Sequence, residues 1–468
     1  MNPWAGDRGL AGAGGPAAAP TAGDGPGCVT VRSHRRAAAA GTRSGTEVRI
    51  RRLTDHAERT TAALVFDHAA GPDVSPIRHA AVDGCGTHAL RAVSRLVDVE
   101  RPDTGRTAGA DAELVEPPHV GREPALLVEE IVRQLSQDDD LKLVVEAHVA
   151  VENRLLLPTD GPSAHETLRT SAVVVDVLRA GRRVAEADAA WSGDLAPALD
   201  GLRERVEQAL ARADAPPRTP APRVQLLLVD GSAGAFLHEV CGHLLESTRH
   251  RPSLLAGHLA RQLAYERLTI DDNPWHPGGF GAHRHTMLGT PTRRRPLLAA
   301  GRLAGLLEDG PDGPWRAEDA RHTPQPRMSH LELAPAGSPA ALDRALGDTD
   351  APVVHVHRLG FGSLDHRDGT VVLEVKDALS DDGSARLEPF LVTAEARHLL
   401  QDARAVGCAE TLHTWSAYCL AGSGSLPVGA TTPTLLTGPV QTLPHRQLTP
   451  PRPAVRHRTG QPKQGRPV

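Results

Sequence analysis

The chain has 468 residues, a net charge of −5 and five cysteines, and its length predicts two domains of ordinary size, each with its own core. The slight acidity argues against a nucleic-acid partner, no apolar run approaches the roughly 20 residues of a membrane span, and the cysteines are too scattered for a disulfide framework. Met1–Pro26 has no basic-then-apolar leader, so the expected setting is the cytoplasm, with reduced thiols and no membrane contact.

Residues 1–45 are mostly Gly, Ala, Pro and Thr without periodicity and are expected to be disordered. From Thr46 to about Ala215 strand-like and helix-like stretches alternate, which predicts an N-terminal α/β domain over 46–215. Glu47–Leu53 and Ala62–Asp67 read as strands. Leu127, Ile131 and Leu135 recur at helical spacing behind Pro124, which suits a first helical turn. Leu141–Leu157 and Ser171–Val184 are rich in Val and Leu, and Ala180-Gly181 breaks the second as a hairpin turn would. Leu195, Leu199, Leu202, Val206 and Leu210 line one face of an amphipathic helix ending near Ala213.

Ala215–Arg223, APPRTPAPR, reads as a Pro-rich linker. A second domain is expected over 224–437, opening with the strand Val224–Val229. Val353–Leu359, Thr370–Val375 and Ala385–Thr393 read as further strands, and Glu395–Val406 as a helix. Residues 438–468 are rich in Pro, Arg, His and Gln and are expected to form a disordered basic tail. The fold class is therefore α+β, with mixed and antiparallel sheets, flanking helices, and a candidate metal site on a distorted helix of the C-terminal domain.

That helix is Gly231–Ser247, GSAGAFLHEVCGHLLES, which Ser232 is placed to cap. Two imidazoles, His238 and His243, with the carboxylate of Glu239 beside the first, are the minimal kit for hydrolysis at a metal. Histidines four apart lie about 40° apart around an α-helix and chelate together; five apart, as here, they lie about 140° apart. A π-type turn of about 4.4 residues would restore a common face, and Gly242 would ease it. A hydrolytic zinc site needs a third protein ligand and an open position. Glu246, Cys408, Cys419 and the pair His355 and His357 are the candidates, with Glu246 better suited to orienting a ligand from behind. Cys241 faces away on any geometry that joins the histidines and is expected in the core.

The pattern His238-Glu239-x-x-Gly242-His243-x-x-Glu246 resembles the signature of the TldD/PmbA metallopeptidases. Two further stretches resemble the family's motifs in the same order. They are Pro326-Arg327-Met328-Ser329, and Tyr418-Cys419 followed by Leu426-Pro427-Val428-Gly429 and Pro433-Thr434-Leu435. The resemblance spans most of 224–437 and, faintly, the element order of 46–213. It implies that Zn2+ is held by His238, His243 and Cys419, with Glu239 as general base toward a metal-activated water and Glu246 behind the ligands. It implies hydrolysis of unfolded or linear peptides, including modified ribosomal peptides. It also implies a related partner subunit that lacks the histidine motif. The alternative within the same resemblance is a non-catalytic partner or scaffold subunit. Two features depart from the family. Cys419 is followed by Leu420, Ala421, Gly422, Ser423 and Gly424 where the family has C-G-K-x-G-Q, and no final strand is recognisable after Pro433-Thr434-Leu435.

Overall fold

In the computed structural model, residues 27–44, 47–66, 77–83, 89, 120, 122–135, 140–158, 162–193, 196–319, 321–349 and 351–445 are described. The first sheet is antiparallel and contains β1 (Gly27–Ser44), β2 (Glu47–Phe66), β3 (Ile77–Asp83), β4 (Leu141–Pro158), β5 (Ala164–Arg179) and β6 (Arg182–Ser192), in the order β3-β2-β1-β4-β5-β6. Helices α1 (Glu123–Gln134) and α2 (Ala196–Ala213) pack on it, and together they bury Leu127, Ile131, Val145, Val175, Leu202 and Val206. Between β5 and β6 the chain reverses at Ala180 and Gly181, both at positive φ, as a two-residue hairpin turn of this twist requires.

The expectation of disorder over residues 1–45 fails for 27–44, which form β1, paired along its length with β2 on one side and β4 on the other. Its Ala and Gly residues are small for a packing reason. Ala37 and Ala39 lie beneath α1, and a methyl on Gly41 would come within 2.3 Å of Val128 Cγ1. Small side chains let the helix approach the sheet closely, and the same residues read as low complexity in the sequence. Residues 1–26 and 45 lie outside the described residues. Glu47–Leu53 and Ala62–Asp67 merge into the single strand β2, with Asp67 outside the described residues.

The remaining strands build two larger sheets and two short ladders. One short ladder joins β9 (Glu246–Ser247) to β13 (Leu307–Glu308), and the other joins β14 (Trp315–Arg316) to β15 (Gln325–Pro326). The second sheet contains β10 (Ile270–Asp272), β11 (Arg295–Ala299), β12 (Arg302–Leu303), β16 (His330–Leu333), β22 (His413–Ala421) and β23 (Gly424–Thr432), in the order β12-β11-β10-β16-β23-β22. The third contains β7 (Pro217–Arg218), β8 (Arg223–Leu228), β17 (Val353–Leu364), β18 (Thr370–Ser380), β19 (Arg386–Leu387), β20 (Phe390–Glu395), β21 (Ala405–Val406) and β24 (Leu435–Pro444). Its strands β17-β8-β24-β20-β18 close on themselves because β17 also pairs with β18, so the edges meet. Both sheets feed one apolar core around Phe236, Val240, Leu331, Val356, Leu373 and Val428.

Two sequence expectations change here. The tail expected to be disordered from 438 contains the second half of β24, a strand flanked by β8 and β20. It supplies the final strand that the sequence seemed to lack. Pro439 and Pro444 disguise it, and a register shift between Leu436 and Pro439 accommodates the first of them. Residues 446–468 lie outside the described residues. The helix expected over Glu395–Val406 is shorter, Ala396–Gln401, and Ala405–Val406 joins the sheet instead. No helix among the described residues is long and apolar enough to cross a membrane.

Candidate metal centre

Strand β8 runs into the motif helix through Asp230 and Gly231, both at positive φ. The helix begins as α3 (Ser232–Leu237), becomes a π-helical turn at His238–Gly242 and ends as α4 (His243–Leu245). The His243 N–H donates to the His238 carbonyl five residues back, which is the hydrogen bond that brings both rings to one face. Their centroids lie 4.7 Å apart in an edge-on arrangement. Ser232 does not cap the helix. Its hydroxyl donates to the Val356 carbonyl at 2.7 Å and ties the helix to β17.

Glycines set how closely the neighbouring strands approach. Gly242 has ordinary helical angles, so its role is space rather than the conformational ease expected from sequence. A methyl there would lie 2.2 Å from Met328 Sδ. Gly234 admits Trp415 and Ala430 in the same way. On the other side a methyl on Gly362 would lie 2.2 Å from Glu239 Cγ, so β17 is close enough to hold that side chain in place.

Strand β22 brings Cys419 to the two histidines. One ligand atom each from His238, His243 and Cys419 falls within 4.8 Å of the others, with Cys419 Sγ 3.3 Å from His243 Nε2. In a tetrahedral site with zinc-type bond lengths, neighbouring ligand atoms lie roughly 3.3–3.6 Å apart, a spacing the Cys419–His243 pair already has, and the soft thiolate and two imidazoles are a donor set suited to such an ion. Burial would push the Cys419 thiol up, but His238 and His243 outweigh it and hold the thiol at about 5, which favours the thiolate that binds metal. The Nδ1 of His238 is buried without a hydrogen-bond partner among the described residues. Glu239 sits between the rings, 3.8 Å from His238 Nε2 and 4.0 Å from His243 Nε2.

Behind these groups lies a buried ionic chain. His243 Nδ1 contacts Glu246 Oε2 at 3.2 Å, and Glu246 Oε1 accepts from Arg327 Nε at 2.8 Å. Arg327 Nη2 then donates to Cys419 Sγ at 2.8 Å, and its Nη1 donates to Ser423 at 3.3 Å. Burial would raise the Glu246 carboxyl, but Arg327 and His243 hold it down at about 2. Burial would lower the His243 ring, yet Glu246 and Cys419 raise it to about 10. Glu246 thus fixes the His243 ring by its Nδ1 and turns Nε2 toward the thiolate.

The other sequence candidates stay apart from this cluster. His355 faces Asp381 at 3.5 Å, and His357 contacts Asp230 at 2.6 Å. Cys408 is half-buried at the start of the turn Ala409–Thr411. Cys241 is in the core, where burial pushes its thiol up to about 12. Sequence reasoning did not name Arg327 as a site residue, although it quoted the Pro326–Ser329 segment that carries it. It also missed Trp415, whose ring lies 5.2 Å from that of His238, and His366, 6.4 Å from that of His243. Nothing local marks those two, because the fold brings them in from β22 and from the β17–β18 turn.

Residues 222–442 match the family model described as the PmbA/TldA metallopeptidase C-terminal domain. Among curated proteins the chain is 27% identical over 187 residues to a metalloprotease TldD homolog of Haemophilus influenzae, and the match spans 38% of each chain. Among solved structures it resembles TldE from Thermococcus kodakarensis, with a TM-score of 0.61 at 15% identity, covering 89% of this chain and 96% of that one. A Thermotoga maritima protein described as a modulator of a DNA gyrase gives a TM-score of 0.60 at 12% identity over the same shares. These two likenesses speak for the fold alone. The matched domain and the curated relative are those of the TldD/PmbA family, which the chain resembles over residues 222–442.

Proposed function

We propose that the chain is a zinc-dependent peptidase acting on unfolded or linear peptides, modified ribosomal peptides among them. The observation that carries this reading is the convergence of His238, His243 and Cys419, with Glu239 between the imidazoles. The two imidazoles, with His243 giving up its proton to solvent as the metal binds, and the thiolate would hold the metal, which when bound acts as a Lewis acid toward the scissile carbonyl and the attacking water. Glu239 would take the proton from that water as its oxygen attacks the carbonyl carbon, and would then pass it to the leaving amine. Glu246 and Arg327 would keep His243 and Cys419 aimed.

The proposal extends to a cytoplasmic setting, to domain limits near the Ala215–Arg223 segment, and to pairing with a related subunit that lacks the histidine motif. The rival role, that of the non-catalytic subunit itself, is disfavoured because His238, Glu239, His243 and Cys419 are all retained.

Protein purified without chelator, alone and together with a motif-less relative, tests the reading. It should carry about one zinc per chain and cleave an unstructured peptide. A strong chelator should abolish cleavage and added zinc restore it. Cleavage that persists after complete metal removal, or zinc-loaded protein inactive in both settings, would overturn it.

A further inference from the structure

The β22–β23 hairpin overhangs the second sheet. Strand β16 pairs with β23 only at 429–431, so 424–428 has no strand along that edge among the described residues. Cys419 lies in this overhang, paired with Leu426. Leu426 and Val428 are buried and anchor it from the core, but a two-stranded ribbon is marginal by itself. Its backbone needs other partners.

Residues 316–319, which lead out of β14, supply them. The Glu318 N–H donates to the Ser423 carbonyl at 2.8 Å, and the Ser425 N–H donates to Glu318 Oε2 at 2.8 Å. Arg316 Nη2 donates to the Pro427 carbonyl at 2.7 Å. Glu318 therefore holds the hairpin on both sides of Gly424. That residue has a φ of +89°, and a methyl on it would lie 2.4 Å from Glu318 Cβ.

The same segment is bound to the first sheet. Arg36 Nη1 donates to Glu318 Oε1 at 2.8 Å, and Arg32 Nη2 donates to the Glu318 carbonyl at 3.0 Å. From the hairpin the path continues inward. The buried Ser423 hydroxyl accepts from Arg327 Nη1, and Arg327 Nη2 donates to Cys419 Sγ. Hydrogen bonds thus lead from β1 through Glu318 and the hairpin tip to the thiolate of the candidate metal centre.

We propose that Glu318 is a positioning residue for the metal centre, gripping the hairpin so that Cys419 Sγ meets His238 and His243. The histidines ride on a different element, the motif helix, so the site closes only when hairpin and helix keep a fixed separation. Ligand sets tolerate about 0.5 Å of error, so the grip on the hairpin bears directly on metal affinity. The inference rests on the metal site proposed above, and it gives the first sheet a part in building that site.

Zinc affinity of the full chain, measured by chelator competition, tests this. Glu318→Ala should weaken zinc about tenfold, the lower end of what groups behind metal ligands contribute, and should dim the thiolate-to-metal absorption of cobalt-loaded protein. Glu318→Gln keeps an acceptor for the Ser425 N–H but loses the charge pair with Arg36, and should fall between Glu318→Ala and the wild type. Arg358→Met removes another tie between the first sheet and the second domain, to Glu186 and Asp188. It should lose stability yet bind zinc as the wild type does. In metal-free protein, Glu318→Ala should speed hydrogen exchange over 417–428 and leave 232–245 unchanged. An unchanged zinc Kd in folded Glu318→Ala or Glu318→Gln, or an equal loss in Arg358→Met, would overturn the inference. Wild-type protein that binds no zinc would sink the metal reading instead, and unchanged exchange over 417–428 would then refute the grip itself.

Discussion

Replacing Glu239 with Gln is expected to lower kcat for peptide cleavage by about 10²–10⁴-fold, the usual contribution of a positioned general base. Metal content should not change. The amide keeps the shape that fits beside Gly362 and between the two rings, and none of the three converging ligand atoms belongs to it. The carboxylate accepts no hydrogen bond among the described residues, and its contacts with the histidines are 3.8 and 4.0 Å long. Its oxygens are thus free to receive a proton rather than committed to holding the helix. Steady-state kinetics and metal analysis on the same preparation check the prediction. A variant that cleaves at the wild-type rate would remove Glu239 from the mechanism.

Arg327→Met should be the most destabilising single change near the site, by about 3–5 kcal/mol, the cost of orphaning a buried ion partner. That is a large part of the roughly 5–15 kcal/mol that holds an ordinary protein folded. Arg327 is 0% exposed and Glu246 is 2% exposed. Without the guanidinium, Glu246 keeps only His243 and a 4.0 Å contact with Arg251, and the Cys419 thiolate loses a 2.8 Å donor. Adding Glu246→Leu to Arg327→Met should recover part of the loss, because the unpaired carboxylate goes as well. Denaturant unfolding of both variants measures the effect. A loss below about 1 kcal/mol for Arg327→Met would mean that water reaches the pair and that its burial matters little.

How much of this was legible in the sequence depends on the range of the interaction that decides it. The five-residue spacing of His238 and His243 required a π-type turn if both were to reach one ion, and His238–Gly242 is that turn. The Ala180-Gly181 reversal and the helix ending at Ala213 also followed from local pattern. Local pattern failed where a distant partner sets the rule. The Ala-rich β1 is a strand because β2 and β4 flank it and α1 needs small residues beneath it. The Pro-containing β24 is a strand because β8 and β20 hold it. Ser232 turned from a cap to a tie because β17 runs within reach. Arg327 was visible only as one letter of a segment, since its value lies in joining Glu246 to Cys419 across three elements.

The account rests on Cys419 completing a metal site with His238 and His243, and two cysteine variants test that most directly. Cys419→Ala removes the thiolate that the histidines hold at about 5, and should lose zinc and peptide cleavage together. Cys408→Ala changes a half-buried residue outside the cluster, and should keep both with at most a modest loss of stability. Metal content by elemental analysis, on both variants purified without chelator, is the measurement. The account predicts about one zinc per chain in Cys408→Ala and almost none in Cys419→Ala; zinc retained by the Cys419 variant and lost from the Cys408 variant would contradict it.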